Sequence, residues 1–183
     1  MRQDDGLILA LGAVSALAVA GFAAKAGSRA LADVGMVNGY WGSQGAGVLL
    51  TTGRQIFLLQ RSDEVLDPGV WGVPGGAVRV DDETGEPEDL LGAAMNELLE
   101  EAGLDIQGVG EVIGSTVFAA PRGSFRYTTF IVRVPEQWAR SSRPKLNWES
   151  DAWAWVGQAG LERYPLHPGV VFTLGQAKSV VFS

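Results

Sequence analysis

The stretch Trp71–Leu104, WGVPGGAVRVDDETGEPEDLLGAAMNELLEEAGL, constrains the fold more than any other part of the chain. Leu91, Ala94, Met95, Leu98 and Ala102 recur at helical spacing and supply a stripe to bury. Pro87 suits the first helical position, where its missing N–H costs nothing. Gly103 suits the left-handed position just past the helix end. On the neighbouring side of the same helix Glu97, Glu100 and Glu101 lie three and four residues apart, so they share one face. Three carboxylates so close repel one another unless a cation sits among them. A hard divalent ion with oxygen ligands, Mg2+ or Mn2+, is the natural occupant; a solvated acidic face is the other reading. The Pro74-Gly75-Gly76 turn lets the backbone approach a ligand closely, and a plain turn accounts for it as well.

Composition narrows the chemistry. The 183 residues suit one domain with an appendage. A net charge of −7 argues against nucleic-acid binding through a basic surface. Small anionic substrates remain open, because a bound metal inverts the local field. Without cysteine there are no disulfides, zinc–thiolate sites or thiol nucleophiles. The single histidine, His167, cannot form a multi-histidine metal site and reads as structural in its Leu-His-Pro-Gly turn.

Residues 6–24, GLILALGAVSALAVAGFAA, carry no charge and approach the length of a membrane-spanning helix. Gly12, Ala16, Ala20 and Ala24 form a small-residue stripe suited to close helix packing. Three readings stand together: a membrane anchor, a helix buried in a larger particle, and a secretory signal, for which the acidic start MRQDD is poorly suited. For an anchor, Lys25 and Arg29 place the following domain in the cytoplasm. The expected organisation is an apolar helix with its continuation over 1–34, a glycine-studded linker over 35–44, and one domain over 45–183.

Within that domain, Gly47–Thr51 and Gln55–Gln60 read as a hairpin. Val70–Val73 is strand-like and enters the glycine turn. Glu111–Ala119 and Phe125–Val134 form a second hairpin, with Pro121-Arg122-Gly123 at its tip. Ala152–Val156 is a further strand, Gly157–Arg163 a helical turn and Pro168–Ala177 a closing helix. The expected fold class is α/β, a mixed sheet layered with few helices and preceded by the N-terminal apolar helix.

These residues resemble the Nudix hydrolase family. Gly76 and Glu88 match the signature's first glycine and glutamate, and Asn96-Glu97-Leu98-Leu99-Glu100-Glu101-Ala102-Gly103-Leu104 matches its end except at Asn96. Leu58–Arg61, Trp71, Pro74, Trp155-Val156 and Leu166-His167-Pro168-Gly169 match outside the signature, and the resemblance runs from Gly45 to Ala177. It implies an α/β/α sandwich around a mixed sheet and divalent-metal-dependent hydrolysis of a nucleoside diphosphate linked to another group. By analogy Glu97, Glu100 and Glu101 bind Mg2+ or Mn2+ with help from the Gly76 carbonyl. Gly75, Glu88, Asn96 and Gly103 are the structural positions of the motif.

Glu149 is the candidate general base, since a carboxylate beside the metal can take a proton from water; an exposed loop acid is the competing reading. Arg61, Arg122 and Arg126 are candidates for the substrate phosphates. Trp148, Trp153 or Tyr127 are candidates to stack on a base.

Two departures qualify the match. Asn96 replaces the family's arginine, so a charged partner for the neighbouring glutamate is missing. Eleven residues separate Gly76 from Glu88 where the family has five, enlarging a loop with Asp81, Asp82 and Glu83 that is expected to be solvated. The rival expectation is therefore a Nudix domain without catalysis, used for ligand binding or as part of a membrane-associated or particle assembly.

Overall fold

The computed structural model describes residues 36–37, 40–41, 44–79, 87–120 and 125–183. The apolar segment 6–24, the acidic loop residues Asp81, Asp82 and Glu83, and the hairpin tip with Arg122 lie outside the described residues. Among the described residues no helix is long and apolar enough to cross a membrane.

Within the stretch read as a linker, β1 (Met36–Val37) and β2 (Tyr40–Trp41) pair antiparallel. The main sheet is built from β3 (Gln44–Thr51), β4 (Gln55–Arg61), β5 (Trp71–Gly72), β6 (Gly75–Ala77), β7 (Glu111–Ala119), β8 (Arg126–Arg133) and β9 (Ser150–Gly157). Its order is β5-β4-β3-β8-β7, with β6 paired to β3 and β9 paired to β4. β3 and β8 run parallel over their whole length, from Gln44 opposite Arg126 to Thr51 opposite Arg133, and the other pairings are antiparallel. The expected mixed sheet and both hairpins are therefore present. The strand expected over Val70–Val73 shrinks to Trp71–Gly72, because Pro74 brings no N–H to a ladder.

Alternation along the strands divides the core. Val48, Leu50, Phe57, Leu59 and Val132 face helix α1 (Leu90–Ala102), whose Ala94, Leu98 and Ala102 are fully buried among them. Their neighbours Leu49, Ile56, Leu58 and Ile131 face the closing helix, where Val170, Leu174 and Val181 meet them. The closing helix spans Pro168–Val181, longer than expected, with non-helical backbone at Ala177. It is α3 in chain order, following the short α2 (Glu136–Ser141) and a 3-10 segment over Gln158–Arg163. A helix on each face of one sheet makes three layers. Each fully buried Leu or Val contributes roughly 1.5–3 kcal/mol, which makes α1 a rigid mount for what its other side carries.

Helix α1 does not begin at Pro87. Asp89 caps it instead, its Oδ2 accepting the N–H of Gly92 at 2.8 Å, an interaction worth about 1 kcal/mol. A carboxylate that satisfies an orphan N–H outcompetes a proline that merely lacks one. At the other end Gly103 adopts φ 62°, as expected, and its N–H reaches the Leu99 carbonyl.

Candidate active site

The carboxylates of α1 meet the sheet at the Gly75–Gly76 turn. Glu101 is almost fully buried, and its Oε1 accepts the Gly75 N–H at 2.8 Å. Glu97 lies one helical turn earlier, with its carboxylate over Gly76. A Cβ on Gly76 would meet the Glu97 Oε1 at 2.2 Å and its Cδ at 2.6 Å. The second glycine of the turn therefore vacates the volume that Glu97 fills. Glu100 is exposed.

Glu149 completes the acidic group from the far side. Its backbone is clamped: its carbonyl accepts the Ser62 N–H at 2.9 Å, and its own N–H donates to the Asn147 side chain at 2.9 Å. Asn147 in turn donates its N–H to the Glu101 carbonyl at the end of α1. The loop after α2 is thus tied to both β4 and α1, and this brings residue 149 to residue 101.

Electrostatics record the crowding. Burial, then the charges of Glu100 and Glu149, push Glu97 up from 4.5 to about 7, opposed by Arg79. Burial pushes Glu101 well above the usual carboxylate range, with Glu149 and Glu97 adding to it and the Gly75 hydrogen bond and Arg61 opposing. Glu149 is raised by burial as well, with Arg61 pulling it down. Taking a carboxylate out of water beside another penalises the charged form, and a divalent cation reverses that penalty. The donors are all oxygen, which suits Mg2+ or Mn2+, and the glycine cradle leaves the Glu97 carboxylate room. No three acidic, histidine or cysteine side chains among the described residues stand already gathered as a metal cluster.

Arg61 is the buried cation of the site. It ends β4 at an irregularity in the β4–β9 register, is 9% exposed, and donates from Nε to the Leu66 carbonyl. Burial lowers its pKa while Asp67, Glu101 and Glu149 oppose that shift. Two cavities share its side chain together with Gly72 and Val73. One, of about 360 Å3 including its mouth, reaches Glu101, Glu149 and Ser150. The other, of about 610 Å3 including its mouth, is walled by Phe118, Tyr127, Thr129, His167, Val170 and Phe172. Phe118 and Phe172 meet edge to face at 5.6 Å.

The other sequence candidates fall as follows. Glu88 accepts the Arg79 N–H on Oε1 at 2.9 Å, closing the base of the loop. Asn96 is exposed on α1. Trp148 is 48% exposed, and its carbonyl accepts the Ser62 hydroxyl at 2.8 Å. Trp153 is 40% exposed beside Phe57. Arg126 is exposed at the start of β8, one residue from Tyr127, so alternation turns it to the opposite face of the sheet. The arginines felt by the carboxylates are Arg61 and Arg79.

Sequence reasoning missed Phe118, Thr129, Val170 and Phe172, which come from two strands and a helix far apart in the chain. Reading His167 as structural missed its place in the cavity wall, although its Nδ1 does accept the Gly169 N–H at the start of α3.

The fold recurs among known proteins. The NUDIX domain model matches residues 43–171. No curated protein matches in sequence. The structure of a Nudix hydrolase from M. smegmatis, RenU, is similar with a TM-score of 0.56 and 26% identity, over 77% of this chain and 87% of that one. The NUDIX domain of Shewanella oneidensis NrtR, complexed with ADP ribose, gives 0.51 and 18% identity, over 74% and 86%. A bifunctional NMN adenylyltransferase/ADP ribose pyrophosphatase from Francisella tularensis, complexed with AMP and a manganese ion, gives 0.51 and 18%, over 74% of this chain and 41% of that one. With the family model spanning most of its length, this chain belongs to the Nudix hydrolase family.

Proposed function

We propose that the chain is a divalent-metal-dependent pyrophosphohydrolase that cleaves a nucleoside diphosphate linked to a second group. The observation that carries this reading is the seating of Glu97 and Glu101 on the Gly75–Gly76 turn, with Glu149 in the cavity that Glu101 also lines and buried Arg61 joining that cavity to an apolar one. Glu97, Glu100 and Glu101, with the Gly76 carbonyl, hold Mg2+ or Mn2+. When bound, the cation neutralises the diphosphate oxygens and acidifies the attacking water. Glu149, on a clamped backbone, accepts the proton of that water. Arg61 meets the phosphate nearest the cavity, and the Phe118–Phe172 corner packs the group beyond it.

The test is a hydrolysis panel of diphosphate derivatives, ADP ribose among them, with Mg2+ or Mn2+ and with chelator. Turnover that requires the metal and falls on Glu100→Gln supports the reading. No turnover of any compound sinks it.

Exposed Asn96 and exposed Glu100 favour a second reading, a Nudix domain that binds its ligand without hydrolysing it. ADP ribose binding in the absence of turnover is its signature. We also propose that residues 6–24 tether the domain to a membrane with residues 45–183 on the cytoplasmic side, on the strength of the uncharged run and the following Lys25 and Arg29. Wash-resistant membrane association that is lost on deleting residues 1–25 supports the tether; a fully soluble intact chain, or packing of that helix within a particle, overturns it.

A further inference from the structure

Three glycines outside the helix surround one tyrosine. Gly45 and Gly47 lie on β3 and Gly75 on β6, with Gly47 paired to Gly75 and Gly45 to Tyr127 across the sheet. A Cβ on Gly45 would meet the Tyr127 ring at 2.5 Å. A Cβ on Gly47 or Gly75 would meet the Tyr127 hydroxyl at 2.5 or 2.1 Å. Real Cβ atoms do not approach so closely, so all three positions are vacated for the one side chain. Strand alternation makes Gly75 and Gly76 opposite in sense. Gly76 is vacated toward Glu97 on the α1 side and Gly75 toward Tyr127 on the α3 side, so the turn is held between a carboxylate and a phenol.

The Gly75 peptide is the one whose N–H holds Glu101. The Tyr127 hydroxyl rests against its Cα from the other face, at the inner wall of the apolar cavity. We propose that Tyr127 is a positioning residue for Glu101, acting through the Gly75 peptide: the phenol braces the turn, and the braced turn aims the carboxylate at the cation. The inference rests on the reading of Glu101 as a cation ligand given above. It also explains why a large aromatic side chain lies on glycines where small or branched side chains would fill a sheet more simply.

Tyr127→Phe removes the hydroxyl and keeps the ring in its seat. Three readouts are taken: Gly75 amide exchange by NMR, Mn2+ affinity by calorimetry, and kcat against KM. Amide exchange at Gly75 accelerates, because its hydrogen bond to Glu101 opens more often. Mn2+ affinity and kcat each fall roughly 10-fold, in the range seen when a ligand's supporting partner is removed, and KM stays within about 2-fold. Gly45→Ala presses the ring from its far edge without touching the hydroxyl; because its methyl also meets the Gly76 carbonyl at 3.0 Å, Gly75 exchange is the deciding readout for this variant. Unchanged Gly75 exchange and unchanged Mn2+ affinity in both variants overturn the proposal, as does a loss confined to KM, which would make Tyr127 a cavity wall only. If the wild-type chain binds Mn2+ but hydrolyses nothing, the proposed activity fails, and the Gly75 and Mn2+ readouts still decide the role of Tyr127. A wild-type chain that binds no Mn2+ overturns it.

Discussion

Replacing Glu97 by glutamine is expected to stabilise the protein when chelator is present. The Glu97 carboxyl is pushed from 4.5 up to about 7, first by burial and then by Glu100 and Glu149. In the unfolded chain the same carboxyl ionises near 4.5. Between those values the unfolded state gives up its proton while the folded state resists, so the folded state binds more protons and stability falls as pH rises. The loss begins as pH climbs through about 4.5 and is complete above about 7. At about 1.4 kcal/mol for each tenfold change in proton affinity, the difference corresponds to at most about 3.5 kcal/mol. The assay is urea unfolding in chelator from about pH 5 to about pH 8, for wild type and Glu97→Gln. Wild type should lose about 1–3 kcal/mol more than the variant across that range, with Glu101 and Glu149 adding a slope of the same sign to both chains. Excess Mn2+ should reverse the order, because the cation stabilises only the chain with the full carboxylate set. Parallel curves in chelator, or a Gln variant less stable than wild type at the alkaline end, would refute the reasoning.

Glu101→Gln retains an oxygen for the Gly75 N–H but loses the charge. Mn2+ titration and steady-state kinetics should show a fall on the order of 100-fold in activity, with the fold intact by circular dichroism. Leu98→Ala empties a fully buried position between α1 and the sheet and should cost about 2–5 kcal/mol in chemical denaturation. Because Leu98 lies between Glu97 and Glu101 on the same helix, Mn2+ affinity should fall alongside stability. Asn96→Arg places a guanidinium on the exposed face beside Glu97, and a rise in kcat or in Mn2+ affinity would show that the asparagine weakens a working site.

The departures of fold and site from sequence reading have one physical source. Local signals read well: the apolar period of α1, the left-handed Gly103, both hairpins and the final helix depend on residues a few positions apart. The helix start expected at Pro87 lies instead at Asp89, decided by which side chain could satisfy the Gly92 N–H, an energetic question that spacing does not answer. Helix α2 is six residues long and offers too little period to be seen. The cavity draws on residues 61, 72, 118, 129 and 172, which only the order β5-β4-β3-β8-β7 brings together.

Arg126 and Tyr127 show how narrow the margin is. Both were candidates for the substrate, and one residue of register turns the first outward and seats the second on three glycines. The glycines themselves were legible, but only as turn or flexibility signals, because what each one makes room for lies far away in sequence. Gly76 is empty for the sake of Glu97, and Gly75 for Tyr127. Asn96 is the same lesson in reverse. The missing arginine took a charged partner from Glu97, and the cation that Glu97 feels is Arg79, while Arg61 supplies a buried cation against Glu101 and Glu149 from a strand 35 positions earlier than residue 96. A motif read along the chain records which residue is absent, and the sheet decides which residue stands in that field.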